Sequence, residues 1–365
     1  MPVAKLTVVG TGLIGASLGL AARARGIAVS GWDPDASALE AAAARGAVEP
    51  ASSLEEALEG AELAVVAAPV AEVPAQVAAV LEATGDGTTV TDVASTKERP
   101  VAAAGGSPRF VGGHPMAGSE GRGAEGASAG LFEGATWFLT PTAATDAERH
   151  RLVHSFVADL GAFPIAIDPA AHDRLVALIS HVPHVLANVI VNSAGQGRVE
   201  GHDALASAGG SLRDMTRIAG ANPRMWIDVF LDNADAVREE LSEVRRRIEQ
   251  VEAALGQRDA GFLARWIGEA ATNRRRMLET AYTDAGALYR VSVHVPDRPG
   301  VFAGITQALG AERINIEDFE LEHISPERGG TVTLLVTGEH EARRAAELLE
   351  RQGYGVVVSA VLDEG

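Results

Sequence analysis

In residues 1 to about 165, short apolar runs alternate with longer segments whose apolar positions recur at helical spacing. The short runs do not alternate polar and apolar positions, which is typical of strands buried on both faces of a parallel sheet. The predicted strands are Leu6–Gly10, Ala28–Asp33, Leu63–Pro69, Thr88–Val93, Arg109–Gly113, Thr136–Thr140 and Pro164–Asp168. With helices such as 16–25 between them, they predict a doubly wound α/β domain of the Rossmann type over residues 1–167.

A second pattern begins at Asp168, after which strand-like runs disappear until about residue 282. Residues 170–194 form an apolar run at helical spacing, in which Pro183 should bend or begin a helix. Residues 222–281 are almost continuously helical in pattern and include charge-rich stretches. Helices of this kind bury one stripe and solvate the other. We therefore predict an all-α domain over residues 168–282 that packs on a neighbouring domain or a second subunit.

Alternating strands return near the carboxyl end of the chain, in a domain that we expect over residues 286–365 after a linker at 283–287. The predicted order is strand, helix, strand, strand, helix, strand, which is the ferredoxin-like order. The segments are Leu288–Val295, Val301–Ala311, Asn315–Ile324, Thr331–Gly338, Glu339–Gly353 and Tyr354–Leu362.

Composition narrows the possible functions. A net charge of −18 argues against nucleic acid or an anionic membrane as a partner. The absence of cysteine excludes disulfides, thiolate catalysis and cysteine-ligated metal sites. Residues 5–10 already form a predicted strand and no apolar run has the length of a membrane span, so a cytoplasmic protein is expected.

A dinucleotide-binding fingerprint lies between the first predicted strand and the first predicted helix, which is the context that the motif requires. Glycines at its three fixed positions allow a tight turn, close approach of a pyrophosphate and close helix packing, and the helix amino terminus supplies free N–H donors. The fingerprint residues are Gly10, Thr11, Gly12, Leu13, Ile14 and Gly15.

Asp33 follows Gly15 by 18 residues, at the end of the second predicted strand. A carboxylate there accepts hydrogen bonds from ribose hydroxyls and repels a 2′-phosphate, which favours NAD over NADP. Ala68, Pro69 and Ser95 end the next two strands, at the carboxyl edge where open α/β sheets bind ligands. Ser95 is also consistent with a plain helix-capping role.

His114 stands between glycines and a proline at the end of a predicted strand of the same sheet. A neutral imidazole beside a nicotinamide site can accept a proton from a substrate hydroxyl while hydride leaves the same carbon. The fingerprint and His114 together indicate a dehydrogenase. The alternative is a histidine that is satisfied inside a turn.

His181 and His184 lie three residues apart and share a helix face, as do Arg213 and Arg217 at a spacing of four. Because no third metal ligand or H-E-x-x-H pattern accompanies the histidines, we interpret them as pocket wall. The arginine pair suits a carboxylate, although a solvated charged face paired with Asp214 remains open. Trp226 could cover an apolar ring.

These motifs occur in one order and together resemble the prephenate dehydrogenase family over essentially the whole chain. The stretches that carry the resemblance are the fingerprint, 92–97 with Ser95 and Lys97, 112–118 with His114, 180–184, and 213–219. Asp297-Arg298-Pro299-Gly300 with Asn315-Ile316 resembles an ACT regulatory domain.

The resemblance implies oxidative decarboxylation of prephenate to 4-hydroxyphenylpyruvate with NAD. It implies that His114 is the base, that Ser95 assists at the same hydroxyl and that Arg217 holds a substrate carboxylate. His184 would line the pocket, and Glu120 and Asp214 would orient or gate that arginine. The helical domain would form a homodimer, and residues 297–300 with 315–316 would bind an effector, which we expect to be tyrosine.

Three alternatives remain at this level. An arogenate dehydrogenase differs only in the amine of the substrate side chain, and one pocket residue could decide between the two. A β-hydroxyacid dehydrogenase usually has a catalytic lysine in its helical domain, but no lysine follows Lys97 in this chain. A non-catalytic sensor of NAD and amino acids is a third possibility, which any turnover would exclude.

Overall fold

The computed structural model describes residues 3–118, 121–281, 288–325 and 329–361. Within it the chain divides into two compact units, residues 1–246 and 247–365. The boundary between the units falls inside one long helix, Ala234–Gln257. The predicted linker 283–287 lies outside the described residues.

An eight-stranded sheet organises the first unit, in the order β3-β2-β1-β4-β5-β6-β7-β8. Its strands are β1 Lys5–Val9, β2 Ala28–Trp32, β3 Glu49–Pro50, β4 Leu63–Val66, β5 Thr89–Asp92, β6 Phe110–Pro115, β7 Thr136–Thr140 and β8 Phe163–Ala166. Every predicted strand is present, and only the two-residue strand β3 was not predicted. The Rossmann-type assignment is therefore confirmed.

The sheet is not parallel throughout, and here the expectation was wrong. Strand β7 pairs with β6 in the antiparallel sense, and β8 then runs parallel to β7. A parallel neighbour needs a long crossover, usually a helix. In the described part of the segment between β6 and β7, the only helical element is a 3₁₀ turn, Ala124–Gly126, so the chain returns in the opposite direction.

Helices cover both faces of the sheet. They are α1 Leu13–Arg23, α2 Ala36–Ala44, α3 Leu54–Leu58, α4 Val73–Ala83, α5 Glu98–Ala103 and α6 Ala147–Asp159. Strand β4 shows why its residues are all apolar: Leu63 and Val65 enter one core cluster, whereas Ala64 and Val66 enter the other. Burial on both faces explains the absence of alternation in the sequence.

The chain then becomes mainly helical, with α7 Pro169–Val176, a π-helical turn Ala177–His181, α8 Val182–Gln196, α9 Gly210–Thr216, α10 Pro223–Asp232, α11 Ala234–Gln257 and α12 Ala260–Ala281. Pro183 lies in the first turn of α8, as predicted, directly after the π-helical turn. The prediction of no strands was wrong at one place, because β9 Arg198–Val199 and β10 His202–Asp203 form a small antiparallel hairpin.

The stretch Pro169–Gln196 is 28 residues of continuous helix, and its length and composition alone would allow it to cross a membrane. The expectation that no segment has this property was therefore wrong. In this structure the stretch carries the buried polar residues His172, Asp173, His181 and His184. These four polar side chains lie among the apolar side chains of the helix and take part in the site described below.

A four-stranded antiparallel sheet forms the last described part of the chain, in the order β12-β13-β11-β14. Its elements are β11 Leu288–Val295, α13 Val301–Ala311, β12 Asp318–Ser325, β13 Gly329–Thr337, α14 Glu339–Arg351 and β14 Gly355–Ala360. The ferredoxin-like order is confirmed. Its core joins Val291 and Val293 of the sheet to Ile305 and Leu349 of the helices.

Candidate active site

The glycine loop between β1 and α1 has the form that a dinucleotide requires. Gly10 has φ +95°, and a Cβ there would lie 2.6 Å from the carbonyl oxygen of Ala67. A Cβ at Gly12 would meet nothing within 4 Å, so open space borders the loop at that residue. Gly12 caps α1 without a side chain, which leaves the first backbone N–H groups of the helix for a ligand. The loop fits a pyrophosphate.

Asp33 lies directly beside this loop, just after β2. Its Oδ2 accepts a hydrogen bond from the Thr11 N–H at 2.6 Å and one from the Thr11 hydroxyl at 3.2 Å. Its Oδ1 accepts from the Asp35 N–H at 2.9 Å. The carboxylate therefore fixes the loop and, being only partly buried, keeps acceptor capacity for ribose hydroxyls.

His114 occupies the carboxyl edge of the same sheet, as predicted, near the end of β6. Ala68 and Pro69 follow β4 at this edge and Ser95 follows β5, so the four residues come from adjacent strands. Ser95 is half-buried and His114 is half-buried.

The loop after β5 holds the backbone beneath His114. Asp92 Oδ1 accepts from the Gly113 N–H at 3.1 Å, and Lys97 Nζ donates to the Gly113 carbonyl at 2.6 Å. Lys97 and Asp92 also form an ion pair in which both side chains are fully buried. Burial lowers the pKa of Lys97 and raises the pKa of Asp92, and each charge opposes the shift of the other. The N–H and the carbonyl of Gly113, the residue before His114, are thus both held by side-chain hydrogen bonds.

A Cβ on Gly113 would lie 2.7 Å from the carbonyl oxygen of Asp92 and 3.0 Å from Trp137 Nε1. The contact with Asp92 is closer than real Cβ atoms show, so a side chain at this position would displace the strand end that carries His114. The glycine before the histidine is required by close approach of the backbone.

The imidazole of His114 contacts a second histidine that the sequence analysis did not single out. His114 Nδ1 lies 2.9 Å from His172 Nε2, and His172 Nδ1 lies 2.8 Å from Asp173 Oδ1. We call Asp173, His172 and His114 the His–His–Asp triad. Burial, aided by His172, Lys97 and His181, lowers the pKa of His114 well below its ordinary value of 6.5. His114 is therefore neutral at pH 7 and able to accept a proton.

The other predicted pocket side chains form one wall. The rings of His184 and Trp226 stack with centroids 3.5 Å apart, and His181 packs edge-on to Trp226 at 6.0 Å. His184 Nε2 is buried without a hydrogen-bond partner among the described residues. Burial lowers the pKa of His181 to about 4. The structure therefore brings both histidines and Trp226 together.

Asn233 joins this wall to the triad. Its side-chain Nδ2 donates to the Asp173 carbonyl at 2.8 Å and to His181 Nδ1 at 3.2 Å. Because that nitrogen can only donate, His181 Nδ1 must accept, and the neutral His181 carries its proton on Nε2.

Arg213, Asp214 and Arg217 lie on or just after α9, a short helix with no buried residues, and all three are exposed. Helix α9 packs beside α8, the helix of His184. Among the described residues, no hydrogen bond or ion pair joins these arginines to His114. Glu120 lies outside the described residues.

The predicted effector residues are exposed apart from half-buried Ile316, and they flank α13. Asp297, Arg298, Pro299 and Gly300 precede the helix, and Gly300 has φ +87°. Asn315 and Ile316 follow it, and Ile316 packs in the same core as Val301 and Phe302. The loop and the 315–316 segment thus lie at the two ends of one helix.

Sequence reasoning missed His172, Asp173, Asn233 and the link from Lys97 to Gly113. A His-Asp pair just after the Asp168–Pro169 helix start was the available signal for two of them. In a regular α-helix, the nine residues from His172 to His181 would place these two side chains about 180° apart around the helix axis. The sequence therefore did not indicate that His172 and His181 belong to one site. The π-helical turn between them takes up one extra residue and reduces that angle to roughly 80°.

The fold and the dinucleotide loop define a class: a Rossmann-type oxidoreductase whose nucleotide-binding domain is followed by a helical domain. Three sequence models of known families match the chain. They are the prephenate dehydrogenase nucleotide-binding domain at residues 18–165, the prephenate dehydrogenase dimerization domain at 168–269, and the ACT domain at 289–353.

The prephenate dehydrogenase of Bacillus subtilis is 32% identical over 265 residues, which cover 72% of this chain and 71% of the relative. A solved prephenate dehydrogenase from A. aeolicus, in complex with hydroxyphenyl propionate and NAD+, is 27% identical with a TM-score of 0.70 and covers 76% of this chain and 99% of its own. The solved Synechocystis arogenate dehydrogenase is 30% identical with a TM-score of 0.68, and the match covers 75% of this chain and 99% of the Synechocystis chain. The chain belongs to the prephenate dehydrogenase family, and its amino-terminal domain is the NAD-binding domain of an oxidoreductase.

Proposed function

We propose that this protein catalyses the oxidative decarboxylation of prephenate to 4-hydroxyphenylpyruvate in tyrosine biosynthesis, in the cytoplasm. The observation that carries the proposal is a neutral histidine, fixed by the triad, at the edge of the sheet that also bears the dinucleotide loop. The A. aeolicus relative, whose structure holds NAD+ and a hydroxyphenyl compound, supports the same substrate class.

The chemistry that NAD would supply here is acceptance of the hydride from C4 of the substrate ring. His114 Nε2 takes the proton of the C4 hydroxyl, so that the carbon becomes a carbonyl. The bond from C1 to its carboxylate then breaks, CO₂ leaves, and the electron pair makes the ring aromatic with charge on the oxygen. His114 returns its proton to that oxygen, so no net proton is consumed. The chain's residues therefore need only align the substrate, exchange one proton and hold the carboxylates.

The preference for NAD over NADP rests on Asp33. A 2′-phosphate would have to approach a carboxylate that already accepts two hydrogen bonds from Thr11. Repulsion between the negative 2′-phosphate and the negative carboxylate of Asp33 disfavours the binding of NADP. The rest of the cofactor site is proposed to comprise the loop residues 10–15, with Ala68, Pro69 and Ser95 at the nicotinamide end.

Arg217, with Arg213 one turn away, is proposed to hold a carboxylate of the dianionic substrate, and His181, His184 and Trp226 to surround its ring. Asp214 and Glu120 remain proposed orienting acids. Arg217→Ala should weaken substrate binding by roughly 1.5–3 kcal/mol, the value of a hydrogen bond to a charged group. The steady-state KM for substrate measures this. An unchanged KM would remove Arg217 from the substrate site, and an unchanged KM for NAD is the internal control.

Reduced-nicotinamide absorbance with purified protein, NAD and either prephenate or arogenate tests the function directly. Turnover of prephenate is expected. Turnover of arogenate alone would mean that the reaction is as proposed but that the substrate is arogenate. The similarity to the Synechocystis arogenate dehydrogenase is the reason to test this substrate. Turnover of neither would contradict the proposed reaction and favour the non-catalytic sensor.

We further propose that the ACT domain binds tyrosine and inhibits the enzyme. Support comes from the ACT match at 289–353 and from the exposed loop 297–300 with Asn315 at the ends of α13. Added tyrosine should suppress turnover in the intact protein and not in Asp297→Ala. An assay without any effect of tyrosine would contradict this assignment.

A homodimer is proposed from the helical domain, whose family match is a dimerization domain. Large apolar side chains on its helices are half or more exposed in the single chain: Leu178, Ile179, Val189, Met215, Met225, Ile227, Leu231, Ile248 and Leu255. Monomeric proteins rarely leave so much apolar surface in water. Light scattering should give a dimer for the intact protein, and a monomer would contradict the proposal.

A further inference from the structure

The hydrogen bonds of the His–His–Asp triad determine which nitrogen of each ring carries its proton. Asp173 accepts from the Lys97 N–H at 2.7 Å and from the Glu98 N–H at 2.9 Å, so its carboxylate acts as an acceptor. His172 Nδ1 must therefore donate to Asp173. Burial lowers the pKa of His172, so its other nitrogen, Nε2, has no proton and accepts.

The consequence passes to His114. Its Nδ1 faces the lone pair of His172 Nε2 and therefore carries the proton of the neutral ring. The lone pair of His114 is left on Nε2, the nitrogen that does not face His172. A base needs this lone pair free, and the alternative tautomer would present an N–H that cannot accept a proton.

We propose that Asp173, acting through His172, holds His114 in the Nδ1–H tautomer so that Nε2 is free to accept the proton of the substrate hydroxyl. His172 and Asp173 are positioning residues, since neither is placed against the substrate. The proposal deepens the proposed function and rests on it for its kinetic test.

The surroundings hold the triad rigidly. His172 is fully buried and Asp173 is 5% exposed, so water does not compete for their hydrogen bonds. The same loop supplies the N–H groups that bind Asp173 and the Lys97 side chain that fixes the Gly113 carbonyl. Asn233 restrains the Asp173 backbone at 2.8 Å. One loop thus positions both the backbone of His114 and the carboxylate that sets its tautomer.

A matched pair of substitutions separates positioning from packing. His172→Asn keeps an amide near the Nδ1 position, toward Asp173, but does not reach His114. His172→Gln places an amide oxygen near the Nε2 position, where it can accept from His114. We expect kcat to fall roughly 10²-fold in H172N, within the range for losing a general base, and to fall clearly less in H172Q. His172→Leu, which offers no acceptor, should match H172N.

Three readouts accompany kcat. The KM values for substrate and NAD should stay within about twofold in H172N, because tautomer control acts in the proton transfer and not in binding. The primary deuterium isotope effect at C4 should be at least as large as in the parent protein. Thermal unfolding confirms that each variant is folded, and Asp173→Asn provides a second disruption of the triad should H172N not fold.

Equal losses in H172N and H172Q that follow their thermal stability would show that His172 only fills space, and would overturn the proposal. Turnover of folded H172N within about twofold of the parent protein would overturn it as well.

The tautomer can also be read without turnover. In protein labelled with ¹⁵N-histidine, the His114 signals, identified by their loss in His114→Asn, should show the proton on Nδ1, and His172→Leu should abolish that preference. If the intact enzyme turned over neither substrate, the proposed function would fail while this spectrum still decided the triad. A His114 proton on Nε2 in the parent protein would overturn the triad while leaving the proposed reaction open.

Discussion

His114→Asn is expected to lower kcat by roughly 10²–10⁴-fold, the usual contribution of a positioned general base. The asparagine side chain can fill part of the imidazole volume and hydrogen-bond to His172, but it cannot accept a proton at neutral pH. Substrate and NAD contacts through other residues remain, so the loss should appear in kcat with little change in KM. Steady-state kinetics on the two proteins measure this difference.

The exposed His154 on α6 offers a matched control, because His154→Asn makes the same chemical change away from the sheet edge and should leave kcat unchanged. A His114→Asn enzyme with kcat within a few-fold of the parent protein would show that another group accepts the proton. Ser95 would then be the first residue to test.

The pH profile of the parent enzyme follows from the same histidine. Only the neutral form of His114 accepts a proton, so kcat/KM should fall on the acid side as the ring becomes protonated. Burial lowers the pKa of His114 well below 6.5, with His172 on α7, Lys97 after β5 and His181 in the π-helical turn adding to the shift. The acid limb should therefore lie below pH 6.5, and a limb centred above pH 7 would contradict this assignment.

Lys97→Met is expected to reduce the free energy of unfolding by about 3–5 kcal/mol, as for other buried ion pairs that lose one partner. Both side chains of the Lys97–Asp92 pair are fully buried, so the substitution leaves a carboxylate without its counter-charge. It also removes the hydrogen bond to the Gly113 carbonyl. Denaturant unfolding, followed by circular dichroism, measures the change.

The pH dependence of that variant has a definite sign. With Lys97 gone, burial is left to raise the folded-state pKa of Asp92 above its unfolded value of 3.8. A raised carboxyl pKa means that the folded state prefers the protonated form. Stability lost relative to the parent protein should therefore grow as pH rises above 3.8, and shrink as pH falls toward that value.

Two comparisons make the Lys97 prediction specific. Lys5→Met changes the other lysine of the chain, which is only half-buried, and should cost less than about 1 kcal/mol. The double substitution Asp92→Asn with Lys97→Met should recover a large part of the stability, because it leaves no unpaired charge. A single variant as stable as the parent protein would mean that the pair does not stabilise the folded state.

Where strong patterns exist, the sequence predicted the elements closely. Helix Val301–Ala311 and strand Thr136–Thr140 begin and end at the predicted residues. The glycine loop, Asp33 and the strand-end position of His114 followed from backbone requirements that few other residues satisfy. These features are local, so neighbouring residues are enough to specify them.

The direction of β7, by contrast, depends on the connection between β6 and β7, and no local pattern in the sequence indicates it. The His–His–Asp triad has the same character. His114 and His172 are 58 residues apart along the chain, and their contact exists because α7 packs against β7, the strand that pairs with β6.

The sequence by itself therefore determined three things: the Rossmann, helical and ferredoxin-like organisation, the dinucleotide loop and the presence of one histidine at the sheet edge. Periodicity and glycine geometry act over a few residues, which is why they can be read along the chain. Only the tertiary structure decided which partners surround that histidine. A π-helical turn ends at His181, which contacts Asn233, a buried Lys97–Asp92 pair holds Gly113, and Asp173 reaches His114 through His172. Such long-range contacts depend on packing between distant elements, and packing sets the protonation of His114 on which the chemistry depends.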